Sequence, residues 1–432
     1  MISSDKLEKI QSAVGAFTNN KYIKSVSNGM VLIMTPIIVG SIFTLLTNLP
    51  NKSWMNFINN NGITDFLKLP ATFTTNIMAV LAVFLIAYSL AEEFEADGLM
   101  AGILSLIGFL IVTPVGQIKN DSSVISYIPF DWIGSKGLFV AIVMGLLISR
   151  IYVFFVSKGY VIKMPDSVPS SVAKSFNTLI PGFATSIIAL CIAIIFKFTP
   201  FGSLGQMIYS CIQTPLQGLS GTYASLLIVN LLIGLLWFFG LHGTIIVFNG
   251  IIAPLMLSLD MQNLAAYQAG QALPNIIGYE FYRAYVFCTG TGLTIGLTIL
   301  MAFFAKSKQY KILGRLAIPT SIFNINEPVV FGTPIVLNPI MIIPYIGAPM
   351  ICSSIAYFAT AIGLVPRING VQLPWPTPIG ISGFLLGSWK ISVLQIVLVL
   401  VSLIVYYIPF KYMDKKAYEQ ENVESSSVED VN

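Results

Sequence analysis

The chain has 432 residues, is 55% hydrophobic and only 10% charged, and carries a net charge of +4. Soluble domains carry about 25% charged residues, so a chain this poor in charge cannot cover a water-facing surface of its own size. A bilayer removes that need, and the absence of a basic tract excludes nucleic acid as a partner.

Residues 1–24 are polar (Asp5, Lys6, Glu8, Lys9, Lys21 and Lys24), and no small-residue cleavage site follows a short apolar core. No cleavable signal peptide is therefore expected. A helix needs about 20 apolar residues to cross the hydrocarbon. Charge-free stretches of that length predict spans within 25–51, 69–91, 98–118, 137–156 and 175–196. Arg150, near the end of the fourth, can snorkel to the interface. The uncharged block 198–259 is too long for one crossing. It predicts a connector marked by Pro200, Pro215 and 218–221, a span over 222–240 and a shorter apolar piece over 243–257. Further spans are predicted at 284–305, within 328–366 behind a proline-rich entry, and within 379–410. The acidic, serine-rich tail after Tyr418 is expected to be disordered, and no fused soluble domain is expected at either end.

The fold class is all-α: a polytopic membrane protein with about ten transmembrane helices plus re-entrant or discontinuous segments. The organisation expected is an N-terminal transmembrane half (1–200), a C-terminal half (201–410) and a cytoplasmic tail (411–432). Placing both termini inside puts 15 of the 23 Lys and Arg residues on inside segments and seven on outside loops, with Lys390 in the last span. That asymmetry follows the positive-inside rule. Segment 91–97 conflicts with it, holding Glu92, Glu93, Glu95 and Asp97 and no basic residue. Cys191, Cys211, Cys288 and Cys352 each stand alone in apolar sequence. Neither a metal site nor a cofactor is expected, and no phosphate-binding glycine loop is present.

Two segments carry polar groups that a lipid-facing helix would not tolerate. The first is Trp237-Phe238-Phe239-Gly240-Leu241-His242-Gly243-Thr244, which holds the single histidine. Gly240 and Gly243 permit a bend or a close backbone approach there. An imidazole at a broken helix can hold a sugar hydroxyl as donor or acceptor; a histidine at a membrane interface without function is the other reading. The second segment is Asn324-Ile325-Asn326-Glu327-Pro328 through Gly332, Pro334 and Asn338-Pro339, where Glu327 opens 39 residues without charge. Three prolines cannot share one regular helix, which predicts a discontinuous element lining a cavity. The alternative is a solvated loop before a plain span. Trp375, between Pro374 and Pro376, either offers a flat face to a pyranose ring or anchors at the interface. Trp389 and Lys390 belong either to the pathway or to helix packing.

Gly240-Leu241-His242-Gly243, together with Ile325-Asn326-Glu327-Pro328-Val329-Val330-Phe331-Gly332, Pro334 and Asn338-Pro339, resembles the lactose/cellobiose family of phosphotransferase-system permeases, enzyme IIC component. The order, spacing and surrounding hydropathy match over nearly the whole chain. The resemblance implies a homodimer in the bacterial cell membrane with about ten spans per subunit, its N-terminal half supplying dimer contact and its C-terminal half holding the sugar. It implies that His242 and Glu327 bind the sugar near the hydroxyl that receives phosphate and that Trp237 and Trp375 lie beside the rings. With them, Asn326 and Gly243 complete the candidate substrate-binding set, and Glu327 and His242 are the candidate catalytic groups. It further implies a separate soluble B component phosphorylated on cysteine, served by an upstream A component. The substrate expected is a β-linked disaccharide, with cellobiose favoured over diacetylchitobiose and lactose. An ion-coupled secondary transporter also uses broken helices, and a membrane receptor without transport is a third class.

Overall fold

The structure is a computed structural model that describes residues 20–49, 51–120, 123–165, 168–333, 335 and 338–429. Pro334, the first 19 residues and the last three therefore lie outside the described residues. Among those described, seven helices are long and apolar enough to cross a bilayer. The pair Leu204–Ser220 and Tyr223–Phe238, bent by 78°, is an eighth when counted as one broken span, and Gly98–Val112 and Ile295–Phe304 are two shorter apolar helices. Apart from one hairpin, Gly116–Asn120 paired with Ser123–Tyr127, the ordered elements are helical, so the fold is all-α as expected. The hairpin begins where the third predicted span ends early, at Val112 before Pro114.

The described residues form two compact units, one of 20–219 with 249–261, the other of 220–248 with 262–429. The segment 249–261 thus joins the first unit although it is remote from the rest of it in sequence. In that first unit, Met78–Glu93 packs against Lys21–Thr47, Gly98–Val112 and Leu138–Ser157. Their facing side chains, among them Ile33, Ala82, Val83, Ile86 and Met144, are fully buried. Ser149 Oγ donates across helices to the Ala87 carbonyl at 2.9 Å. At one end the acidic 92–97 segment meets its missing cations. Lys24 pairs with Glu93. Lys174 pairs with Asp97 at 2.9 Å. Lys21 and Arg150 lie 4.3 and 4.9 Å from the Phe94 ring. Burial opposes the charge on Asp97, but the Lys174 ammonium and the Met100 amide outweigh it and hold the carboxyl below its ordinary range.

In the second unit, Tyr223–Phe238 packs on Pro339–Ala361, with Asn230 Nδ2 donating to Ser353 Oγ at 3.0 Å. Ile295–Phe304 packs between Lys308–Ile322 and the final helix, Trp389–Glu429. Three expectations change here. The tail is not disordered through its described length: the helix continues to Glu429, because Asp414 and Glu421 accept the amides of residues 306–309 that open Lys308–Ile322. The piece expected at 243–257 is the start of a longer helix, Thr244–Gln268, which tolerates Ser258, Asp260 and Asn263 because all three are buried. Nor is 284–305 one span. A π-helical turn, Tyr282–Val286, gives way to a loop in which Thr289 and Leu293 take left-handed φ values of 69° and 51°, and the helix resumes at Ile295.

Candidate functional site

Each interrupted stretch frees backbone groups that water cannot reach, so side chains must meet them. His242 lies where Tyr223–Phe238 has ended and the π-helical turn Thr244–Ile252 begins. Its Nδ1 accepts the Ile245 amide at 3.3 Å, so the neutral ring carries its proton on Nε2, the nitrogen available to a ligand. Gly243 is required here, since a Cβ would come within 2.2 Å of the Ile233 carbonyl. Trp237 lies against the imidazole, ring centroids 4.5 Å apart, and 6.3 Å from Tyr345. Among the described residues, Trp237 Nε1 and the Tyr345 hydroxyl are buried and have no hydrogen-bond partner.

Glu327 begins the short helix Glu327–Gly332, and Pro328 and Pro339 both stand at helix starts, where a missing N–H costs little. The Glu327 side chain is exposed, and Phe331 of the same short helix lies 6.4 Å, centroid to centroid, from the Trp237 ring. The two motifs, 85 positions apart by number (242 and 327), therefore lie in one unit and meet through the Trp237 and Phe331 rings. Asn326 does different work from Glu327. Its Nδ2 donates to the Thr291 carbonyl at 2.7 Å and to Thr294 Oγ1 at 2.9 Å, so both amide hydrogens hold the loop after the π-helical turn. Gly290 is required beneath it, since a Cβ would fall 2.3 Å from the Asn326 side chain.

The same loop ties the motifs together. Thr291 Oγ1 bonds Thr244 Oγ1, two residues from His242, at 2.7 Å. Asn324, with a left-handed φ of 65°, accepts the Thr289 amide at 2.8 Å and donates to the carbonyls of Trp375 and Thr377 at 2.9 and 3.0 Å. Trp375 lines a cleft with Glu280, Arg283, Asn324 and Gln395, whereas Trp389 is 63% exposed at the head of the final helix and outside that lining. Arg283, counted among loop charges in the sequence, is buried against Glu280 at 2.8 Å. Sequence reasoning passed over Glu280, Arg283, Thr291 and Tyr345. The available signals were Cys288-Thr289-Gly290-Thr291-Gly292, unsuited to a continuous span, and an acid three residues before an arginine beside it. Among the described residues no cluster has the makings of a metal site.

The frame leaves an imidazole, a carboxylate, two aromatic faces and unpartnered buried donors in one unit, a set suited to a polyhydroxylated ligand. Comparisons with known proteins point the same way. The family described as Phosphotransferase system, EIIC matches residues 27–349. The lichenan permease IIC component of Bacillus subtilis (strain 168) is 38% identical, with 96% of this chain and 94% of that protein covered. The cellobiose-specific EIIC component of Geobacillus stearothermophilus is 38% identical over 96% of this chain and 95% of its own length. The crystal structure of the transporter ChbC, the IIC component from the N,N'-diacetylchitobiose-specific phosphotransferase system, superposes with a TM-score of 0.91 at 38% identity, covering 96% of this chain and 98% of that one.

Proposed function

This chain belongs to the phosphotransferase system EIIC family, a multi-pass membrane permease, and on that premise we propose that it takes up a β-linked disaccharide, cellobiose-type first, for phosphorylation at the sugar 6-hydroxyl. The observation that carries the reading is that Trp237, set against His242, meets Phe331 of the helix that Glu327 opens, while Trp237 Nε1 and the Tyr345 hydroxyl are buried without a hydrogen-bond partner among the described residues. A buried donor without a partner costs about 1–3 kcal/mol, which a sugar hydroxyl would recover. Relatives named for lichenan, cellobiose and diacetylchitobiose support the β-linked substrate class.

In this reading His242 Nε2 and Glu327 hold the ring that accepts phosphate, Trp237 backs it, and Trp375 supports the neighbouring ring. Asn326 and Gly243 act through the backbone they position. A separate B component presents a phosphocysteine from the cytoplasm, itself charged by the A component. Its phosphorus–sulfur bond breaks as the sugar O6 bonds phosphorus, the O6 proton passes to Glu327, and the cysteine leaves as thiolate. The product's new charge weakens rebinding and makes uptake one-way. The unit holding 220–248 and 262–429 carries the sugar, and the other supplies contact within a homodimer. Both termini lie inside. The ion pairs Lys24–Glu93 and Lys174–Asp97 support this by gathering three segments assigned inside at one end of their unit.

Glu327→Gln tests the assignment. Phosphorylation of bound sugar is expected to fall by about 10²–10⁴-fold, with binding in equilibrium dialysis reduced far less. Normal transport and phosphorylation by that variant would refute the role. Accumulation of unmodified sugar in vesicles driven by an ion gradient alone would favour a secondary transporter instead.

A further inference from the structure

The mechanism above makes no use of the buried ion pair in the sugar-bearing unit. The Glu280 and Arg283 side chains are only 2% and 9% exposed and pair at 2.8 Å. Desolvating two charges is costly enough that apolar replacements of such pairs are often neutral or stabilising. What this pair holds is therefore informative. Glu280 Oε1 accepts the Leu373 amide at 3.2 Å, and Arg283 Nη1 donates to the Leu373 carbonyl. Leu373 is thus gripped at both ends of its own backbone. It opens Pro374-Trp375-Pro376, where the prolines have no N–H and cannot be tethered through backbone donation. The guanidinium then lies 5.4 Å from the centroid of the Trp375 ring. Its Nε is buried without a partner among the described residues, and the group is held by the Trp375 ring and the Leu373 carbonyl as well as by its acid. Asn324 secures the far side through the carbonyls of Trp375 and Thr377. Trp375 stays 40% exposed even though Val371, Gln372 and Leu373 are buried.

We infer that the Glu280–Arg283 pair is a positioning device for the Trp375 platform and so sets the preference for a disaccharide over a monosaccharide. The inference rests on the proposed sugar-binding reading. It follows from the division of the aromatics, since Trp237 stands against His242 while Trp375 stands against Arg283. A shift of the platform should penalise the second ring and spare the ring that accepts phosphate. Lysine cannot replace the arginine, because it lacks the planar fork and the stacking face.

The test is cellobiose against glucose, bound to and phosphorylated by purified full-length protein with its soluble partners. Two variants are compared, Glu280→Gln/Arg283→Gln and Arg283→Lys, with folding checked by gel filtration and thermal unfolding. Arg283→Lys keeps the charge pair and carries the test if the double variant does not fold. Cellobiose affinity is expected to weaken by about tenfold. Glucose affinity and the rate at saturating cellobiose are expected to stay within about twofold. An unchanged ratio of the two affinities, or an equal loss of both in folded protein, overturns the inference alone. Wild-type protein that binds neither sugar overturns the permease reading, and the inference falls with it.

Discussion

The two compact units solve the same problem, burying a backbone in a bilayer, in different ways. In the unit of 20–219 and 249–261 most helices run unbroken and satisfy their own hydrogen bonds. Its buried polar side chains are chiefly serines and threonines within helices, with Gln213, Gln217 and Asp260 as the larger exceptions, and the pairs Lys24–Glu93 and Lys174–Asp97 gather at one end. The other unit breaks its helices near 240, 290 and 326 and buries Asn326, Glu280, Asn369, Gln372 and Gln395. Broken backbone needs side-chain partners, and side chains arranged for that purpose also suit a ligand made of hydroxyls. The contrast suggests that polar burial follows the interruption of helices, and that interruption marks the transport site.

Substitutions can break or sharpen this contrast. The largest effect is expected for Asn324→Ala, which removes three hydrogen bonds and puts a Cβ residue at a φ of 65° without the local bonding that excuses it. A loss of about 3–4 kcal/mol is expected, read by thermal unfolding in detergent, together with loss of sugar binding. Binding retained at wild-type strength would separate the polar frame from the site. A smaller effect is expected for Ser149→Ala in the regular unit, about 0.5–1 kcal/mol, with sugar affinity unchanged. A change in affinity there would undo the division of labour. The smallest effect concerns Asp97. Its folded carboxyl titrates below its ordinary value, so the pair with Lys174 stabilises fully above the unfolded pKa of about 4 and is lost as pH falls through the folded one. Below about pH 4 the wild type should therefore lose slightly more stability than Asp97→Asn, in acid titrations followed by tryptophan emission.

Much of this contrast was visible in the sequence and some was not. Glu327 and His242 stood out because charge and imidazole are conspicuous in apolar surroundings, and the prolines at 328 and 339 announced a discontinuity that the helix starts bear out. The break after Val286 went unread, since threonine and glycine look innocuous within a long apolar run. Arg283 looked like a loop charge because its partner and the Leu373 backbone it holds are recognisable only once the chain is folded. The final helix continued where an acidic tail predicted disorder, because Glu421 found the open amides at residues 308 and 309.

Sequence alone settled that the chain spans a membrane many times as helices, because hydrocarbon admits no other use of such long uncharged runs. It also marked the segments that refuse to be plain spans. Tertiary structure decided which of their groups become neighbours and which are consumed as scaffolding: Asn326 spends its donors on a loop, while Glu327 beside it keeps its carboxylate exposed. That choice depends on distances between residues remote in the chain, and only packing sets those distances.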